Sequence, residues 1–286
     1  MHGKPKGSKR IVVKIGSNTL TDARGAVDRR YIASLADQLS ELNDVGHEVV
    51  LVSSGAIAAG REMLGLDSRP RDMATLQAAA SIGQVGLIET YSSEFGRCRT
   101  TIGQVLLTRA DTENEISYGH AVDTFDRLLE IGAIPIVNEN DTVAIDEIAF
   151  GDNDTLAALV AVMIDADMVI ILTDVKGLYD EDPNLNPNAN VVPCLTSIGD
   201  DLLNQTSAHS GGKENMHSLG SGGMRSKLRA AKVLLQADIA TVLCDGRAAN
   251  VIASAVAGRP QGTIICSEEL RMKIQITNLE EESDHG

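Results

Sequence analysis

Ile11-Val12-Val13-Lys14-Ile15-Gly16-Ser17 is an apolar, β-branched run with one lysine inside it and a glycine–serine turn at its end. Such composition predicts a buried strand. Three more runs follow the same plan. Val49-Val50-Leu51-Val52 ends in Ser53-Ser54-Gly55, Ile134-Pro135-Ile136-Val137 ends in Asn138-Glu139-Asn140-Asp141, and Val169-Ile170-Ile171-Leu172 ends in Thr173-Asp174. Helical patterns lie between them, so the expected class is α/β: a three-layer sandwich with a mainly parallel central sheet. In such sheets the ligand crevice lies at the carboxyl ends of the strands. A lysine, glycine turns, carboxylates and amides then converge on one edge, as a phosphate-handling site beside a small polar substrate would require.

Working outward, apolar residues Ile32, Leu35, Ala36, Leu39 and Leu42 share one face of a helix over 29–42, with Gly46 as its stop. An Ala-rich helix is expected over 73–95, with Gly83 and Gly86 as candidate interruptions. A helix over 118–131 closes at Gly132, and one over 155–164 has Asp152 or Asp154 as its cap. Further strands are expected at 102–107, 239–243 and 263–266, with a helix near 250–256. A helix over about 225–236 turns Leu228, Ala231 and Leu235 inward. Residues 177–193, rich in Asn, Asp and Pro, read as a loop or small hairpin; 209–223, rich in Gly and Ser, read as mobile.

The 286 residues carry a net charge of −15, which disfavours a nucleic-acid partner because phosphate backbones need a basic surface. Aromatics are 2% and tryptophan is absent, so the core must be aliphatic. The four cysteines form no CxxC pair and read as reduced thiols in a cytoplasmic protein. Residues 156–172 form the most apolar stretch, but Asp165 and Asp167 break it into helix, turn and strand rather than a membrane span. Residues 1–9 read as a basic flexible tail without the apolar centre of a signal peptide. The folded body is expected over 10–270, with two lobes meeting near Asp167, and 271–286 as a second tail.

Lys14 inside an apolar strand must find an anion, because burying a lone ammonium costs several kcal/mol or more; the plain alternative is a lysine at an ordinary strand edge. Backbone amides near Gly16 and Gly55 could cradle an oxyanion, with Ser54 free to donate to a carboxylate or phosphate, or these residues could be routine caps. Gly220-Ser221-Gly222-Gly223-Met224-Arg225-Ser226-Lys227 is a glycine loop entering a helix with Lys227 in its first turn. Neither GxxxxGK[ST] nor GxGxxG occurs, which argues against a P-loop and a dinucleotide enzyme. Arg229 and Lys232 read as a solvated basic face. Asp141, Asp152, Asn153 and Asp154 could hold Mg²⁺, bind an ammonium group or orient the lysines. Thr173-Asp174, with Gly177-Leu178-Tyr179 and Asp182-Pro183, would suit a nucleotide pocket.

In order, Val13-Lys14-Ile15-Gly16-Ser17, Ser53-Ser54-Gly55-Ala56-Ile57-Ala58-Ala59-Gly60, Asn138-Glu139-Asn140-Asp141, Phe150-Gly151-Asp152-Asn153-Asp154, Leu172-Thr173-Asp174-Val175-Lys176-Gly177-Leu178-Tyr179, Asp182-Pro183 and Gly222-Gly223-Met224-Arg225-Ser226-Lys227 resemble the amino-acid kinase family, and within it the branch acting on glutamate. The resemblance implies ATP-dependent phosphorylation of the γ-carboxylate of L-glutamate, the first step of proline synthesis. It implies that Lys14 and Lys227 neutralise the transferring phosphoryl group and that Asp154 orients them. Ser54, Gly55, Asp141 and Asn153 would hold glutamate, in the lobe over 10–166. Lys14, Gly16, Thr173, Asp174, Ser221, Gly222, Gly223, Met224, Arg225, Ser226 and Lys227 would hold ATP, in the lobe over 167–270. Mg²⁺ would ride on ATP with no direct protein cluster. The resemblance also implies a homodimer or homotetramer, proline as a feedback inhibitor, a glutamyl-phosphate reductase taking the product, and a form without the C-terminal PUA-type domain that many relatives carry. Ser221 and Ser226 stand where the family usually has threonine, and 209–219 departs from its shorter glycine-rich stretch. Rival readings are a kinase acting on N-acetylglutamate or aspartate, and a catalytically silent metabolite sensor on the same fold.

Overall fold

The computed structural model describes residues 7–70, 72–143, 152–183, 185–208 and 223–273. In chain order the elements are β1 (Arg10–Ile15), α1 (Ser17–Leu20), α2 (Arg29–Asp44), β2 (Glu48–Val52), α3 (Ala56–Leu64), α4 (Met73–Arg97), β3 (Ile102–Leu107), α5 (Arg109–Glu113), α6 (Glu115–Glu130), β4 (Ile134–Glu139), α7 (Asn153–Met163), β5 (Met168–Thr173), β6 (Cys194–Leu195), α8 (Asp200–Ala208), α9 (Met224–Gln236), β7 (Ala240–Asp245), α10 (Val251–Val256) and β8 (Gly262–Ile265).

One sheet runs in the order β3-β4-β2-β1-β5-β7-β8-β6. The four strands whose polar tails stand out in the sequence are its contiguous centre, and all are parallel. Their register is level: Lys14 pairs with Val52 on one side and Ile171 on the other, and Val52 pairs with Val137. Their polar tails therefore leave on one edge at one height. The exception to parallel pairing is β7–β8, which is antiparallel.

The side-chain period of two divides β1 between two cores. Ile11, Val13 and Ile15 pack with α2, α4 and α10; Val12 packs with α6, α7 and α9 on the other face. By the same alternation Lys14 turns toward α7 and α9. The expected three layers are present. Elements α1, α3, α5, β6 and α8 lie outside the expected segments; the two residues of β6 carry no periodicity, and α8 is largely polar. The 177–193 segment has a hairpin's cross-bridge between Tyr179 and Val191. The inward face of α9 differs by one residue: Leu234 is buried and Leu235 only half-buried.

The candidate interruptions Gly83 and Gly86 lie inside one continuous helix, α4. These glycines serve helix packing instead. A Cβ on Gly83 would lie 1.9 Å from the carbonyl oxygen of Ala56, and one on Gly60 would lie 1.8 Å from that of Ala79. Helices α3 and α4 thus meet backbone to backbone. Overpacking of this kind costs about 1–3 kcal/mol or more. Gly83→Ala is expected to lower folding stability by at least that much in a urea titration. Gly119→Ala, at an exposed α6 position with nothing within 4 Å, is expected to be stabilising by about 0.5–1 kcal/mol. Equal midpoints for the two variants would contradict the packing assignment.

Candidate active site

The centre of the site is a carboxylate between two ammonium groups. Asp154 Oδ1 lies 2.6 Å from Lys14 Nζ, and Oδ2 lies 3.3 Å from Lys227 Nζ. The Ser226 hydroxyl donates to Oδ2 at 2.7 Å. Relative exposures are 3% for Lys14, 0% for Asp154 and 7% for Lys227. Lys14 comes from the end of β1, Asp154 from the first turn of α7, and Ser226 and Lys227 from the first turn of α9. Between the two candidate caps of α7, the structure selects Asp152, whose side chain accepts from the Thr155 amide at 2.8 Å. That leaves Asp154 free to face inward.

Burial raises the cost of the Asp154 charge, but Lys14, then Lys227, and hydrogen bonds from Lys14 and Ser226 outweigh it and hold its pKa below the ordinary carboxylate value. Burial lowers the Lys14 pKa, and Lys227 adds to that against the pull of Asp154. Two buried ammonium groups thus share Asp154, with Asp152 also acting on Lys14. Ammonium groups gathered at strand ends suit an anionic ligand.

A second network sits beside it. Asn153, next to Asp154, donates its amide to the Ser53 carbonyl at 2.6 Å, to Ser54 Oγ at 3.0 Å and to Asn138 Oδ1 at 3.0 Å. Because Ser54 Oγ accepts from Asn153, its own proton is available to an incoming oxyanion. Gly55 is needed here: it takes φ +96° at the start of α3, and a Cβ would press to 2.7 Å of Leu20. Gly16 precedes α1 in ordinary extended geometry, with its Cβ position 3.5 Å from Lys14 Nζ. Asp141 lies farther along the edge, in a small pocket with Ala80, Ser81, Gln84, Leu106, Glu139, Asn140 and Thr142. Burial and the Glu139 charge, against the pull of Arg69, raise its pKa to about 6.

On the other side, Thr173 Oγ1 donates to Asp174 Oδ1 at 3.1 Å, and Asn18 Nδ2 donates to Oδ2 at 3.3 Å. Gly223 and exposed Arg225 flank Ser226 at the start of α9, while Met224 packs on the core. Arg229 is exposed and Lys232 pairs with Asp200 at the surface, as a solvated face would. Ser221, Gly222 and the segment 209–219 lie outside the described residues, as do Phe150 and Gly151. Among the described residues, no three His, Cys, Asp or Glu side chains gather as a metal cage. Among them, too, no helix is long and apolar enough to cross a membrane.

Sequence reasoning missed the contacts that the helices make behind the strand ends. Gln84 and Tyr91 stand seven residues, two turns, apart on α4. Gln84 Oε1 accepts from Asn138 Nδ2 at 2.9 Å, and Tyr91 OH shares a 2.8 Å hydrogen bond with Ser53 Oγ. It missed Arg247 as well, which donates to the carbonyls of Thr19 and Thr21 and lies 5.5 Å over the Tyr31 ring. The available signal was two polar side chains at i and i+7 in an Ala-rich helix.

A parallel sheet with a buried, cation-rich crevice at its strand ends is the architecture of a phosphotransferase. The chain belongs to the amino acid kinase family, whose model matches residues 9–245. Within that family it is similar to glutamate 5-kinases. It is 47% identical over 264 residues to the glutamate 5-kinase of Vibrio vulnificus, covering 92% of this chain and 68% of the relative. It is 48% identical to that of Thermobifida fusca, covering 90% and 64%. Among solved structures, UMP kinase from Ureaplasma parvum superposes with a TM-score of 0.59 at 15% identity over 91% of this chain and 99% of that one. Isopentenyl phosphate kinase from T. acidophilum gives 0.59 at 17% over 90% and 99%. These two likenesses concern the fold.

Removing the shared anion should expose the strain between the lysines. Asp154→Asn is expected to lower stability by about 3–5 kcal/mol at neutral pH, the range for breaking a buried pair. With its folded pKa depressed, Asp154 binds fewer protons in the folded state than in the unfolded one. Its contribution is thus present at neutral pH and lost as pH falls below the ordinary carboxylate range. Denaturant midpoints across pH 3–7 should converge for the two proteins on the acid side.

Proposed function

We infer that this chain transfers the γ-phosphoryl group of ATP to the γ-carboxylate of L-glutamate, giving γ-glutamyl phosphate, the opening step of proline synthesis. The observation that carries the reaction type is the convergence of two buried lysines, Lys14 and Lys227, on Asp154 at the strand ends. The substrate rests on the likeness to glutamate 5-kinases. A carboxylate acceptor is ionised at neutral pH, so no general base is required. Its oxygen forms the new bond to phosphorus as the bond to the ADP oxygen breaks, and no proton moves.

Lys14 and Lys227 face the charge that builds on the equatorial oxygens, and Asp154 holds both in place before substrate arrives. The Ser54 hydroxyl, fixed by Asn153, donates to the γ-carboxylate, while Asp141 pairs with the ammonium group. Thr173, Asp174, residues 221–223 and the first turn of α9 through Lys227 hold the nucleotide. In this reading glutamate lies over the 10–166 half and ATP over the 167–270 half. Both oxygens of Asp154 are committed to cations or a hydroxyl, which suits a Mg²⁺ that arrives on the ATP phosphates; bound there, the ion supplies further charge neutralisation. A cytoplasmic homodimer or homotetramer, inhibited by proline and feeding a glutamyl-phosphate reductase, completes the proposal.

An ATP- and Mg²⁺-dependent assay with hydroxylamine, which traps acyl phosphates as hydroxamates, tests this directly. L-glutamate should give product; N-acetylglutamate, without a free ammonium group for Asp141, and L-aspartate should give little. Good turnover of N-acetylglutamate would overturn the substrate assignment. Lys227→Ala is expected to lower kcat by about 10²–10³ with glutamate binding retained; an unchanged kcat would remove its catalytic role.

The pH dependence has a definite sign. A carboxyl with pKa about 6 is protonated below that value and cannot pair with an ammonium group. The KM for glutamate should therefore fall as pH rises through about 6, and Asp141→Asn should flatten that profile.

A further inference from the structure

The hydrogen bonds behind the substrate side fix the orientation of an amide that nothing above uses. Asn138 Oδ1 accepts from Asn153 Nδ2 at 3.0 Å and from the Glu139 amide at 2.9 Å. With its oxygen so occupied, Asn138 must present its NH₂ group to Gln84, and does so at 2.9 Å. Gln84 must then accept with Oε1. Its own NH₂ group is left without a partner among the described residues. Gln84 also lines the pocket that contains Asp141, Glu139 and Ser81. The pocket lining thus holds two carboxylates and an amide donor without a partner among the described residues, the groups that would meet an ammonium and a carboxylate.

We propose that Gln84 is a substrate-recognition residue whose side-chain NH₂ donates to the α-carboxylate of the bound amino acid, while its oxygen, through Asn138, holds Asn153 and Ser54 in position. This rests on the glutamate reading of the site. It divides recognition among three groups: Asp141 for the ammonium, Gln84 for the α-carboxylate, and Ser54 with Asn153 for the γ-carboxylate that reacts. A compound with the γ-carboxylate but no anionic α-substituent would then bind weakly for a reason located at Gln84.

Gln84→Glu separates the two functions of the side chain. A carboxylate still accepts from Asn138 but puts a repelling oxygen where the donor stood. The glutamate KM is expected to rise about ten- to a hundredfold, the range for losing a hydrogen bond to a charged group. The kcat, the ATP KM and the thermal midpoint should stay within about twofold or a few degrees of the parent. L-isoglutamine, which carries an α-carboxamide and a free γ-carboxylate, should gain relative to glutamate, because the introduced carboxylate accepts from its amide.

A glutamate KM within about twofold of the parent, or an equal rise for both acids, overturns the proposal. If this variant does not fold, Gln84→Met removes the acceptor along with the donor, so both acids should lose, and the proposal then stands only if the KM rise is larger for glutamate than for L-isoglutamine. Calorimetric binding of both acids repeats the test without phosphoryl transfer. A protein that binds glutamate through Gln84 but makes no hydroxamate would fail the kinase reading alone.

Discussion

The structure depends on one buried carboxylate shared by two lysines. Asp154 is fully buried, and each of its oxygens faces a different ammonium group. Desolvating three charges is expensive, and attraction within the cluster offsets the expense only while the geometry holds. That geometry needs β1, α7 and α9 in one relative position. The level register of the central strands, the inward turn of the first residues of α7 and the approach of α9 are conditions for the ion cluster. The cluster in turn penalises any packing that separates them. It also brings two ammonium groups to the strand ends, so the same constraint that organises the fold prepares it for an anion.

The neighbouring network is of the opposite kind, made of neutral amides and hydroxyls. Ser53, Ser54, Asn138, Asn153, Gln84 and Tyr91 join the ends of β2 and β4 and the start of α7 to α4. Each bond is modest, about 0.5–1.5 kcal/mol net, but their polarity is directional. Fixing one amide dictates the next. A charged cluster holds position strongly and tolerates rotation, whereas an amide chain fixes which end of each group faces the ligand. Placed side by side, they suit a reaction in which one substrate is highly charged and the other must be read group by group.

The central sheet was legible because its strands are buried on both faces and therefore read as unbroken apolar runs. Lys14 was legible for the same reason: a lysine between Val13 and Ile15 is out of place unless something answers it. The order of polar tails along the chain gave the family. The partners in α4 were not legible, since Gln84 lies 54 residues from Asn138 and Tyr91 lies 38 from Ser53, and no local pattern says which strand end a helix will back. Gly83 and Gly86 read as interruptions because a glycine that permits close approach looks, in one dimension, like a glycine that breaks a helix. Only the neighbouring α3, its backbone at Gly83 and its Met63 side chain at Gly86, tells them apart.

That contact between α3 and α4 has a mechanical meaning. With the main chains touching at Gly60 and Gly83, the two helices have no side-chain layer between them at that crossing, where sliding would drive backbone into backbone. They form a stiff plate, anchored on one side by Ala56 directly after the Ser53-Ser54-Gly55 turn, and on the other by the polar face of α4. Motion that opens the crevice on this side must move the plate as one body, on the slow timescale of hinge displacements rather than that of side-chain rearrangement. The glycines thus trade local adaptability for concerted movement, and a push on the outer surface of either helix is transmitted to the serine turn without being absorbed on the way.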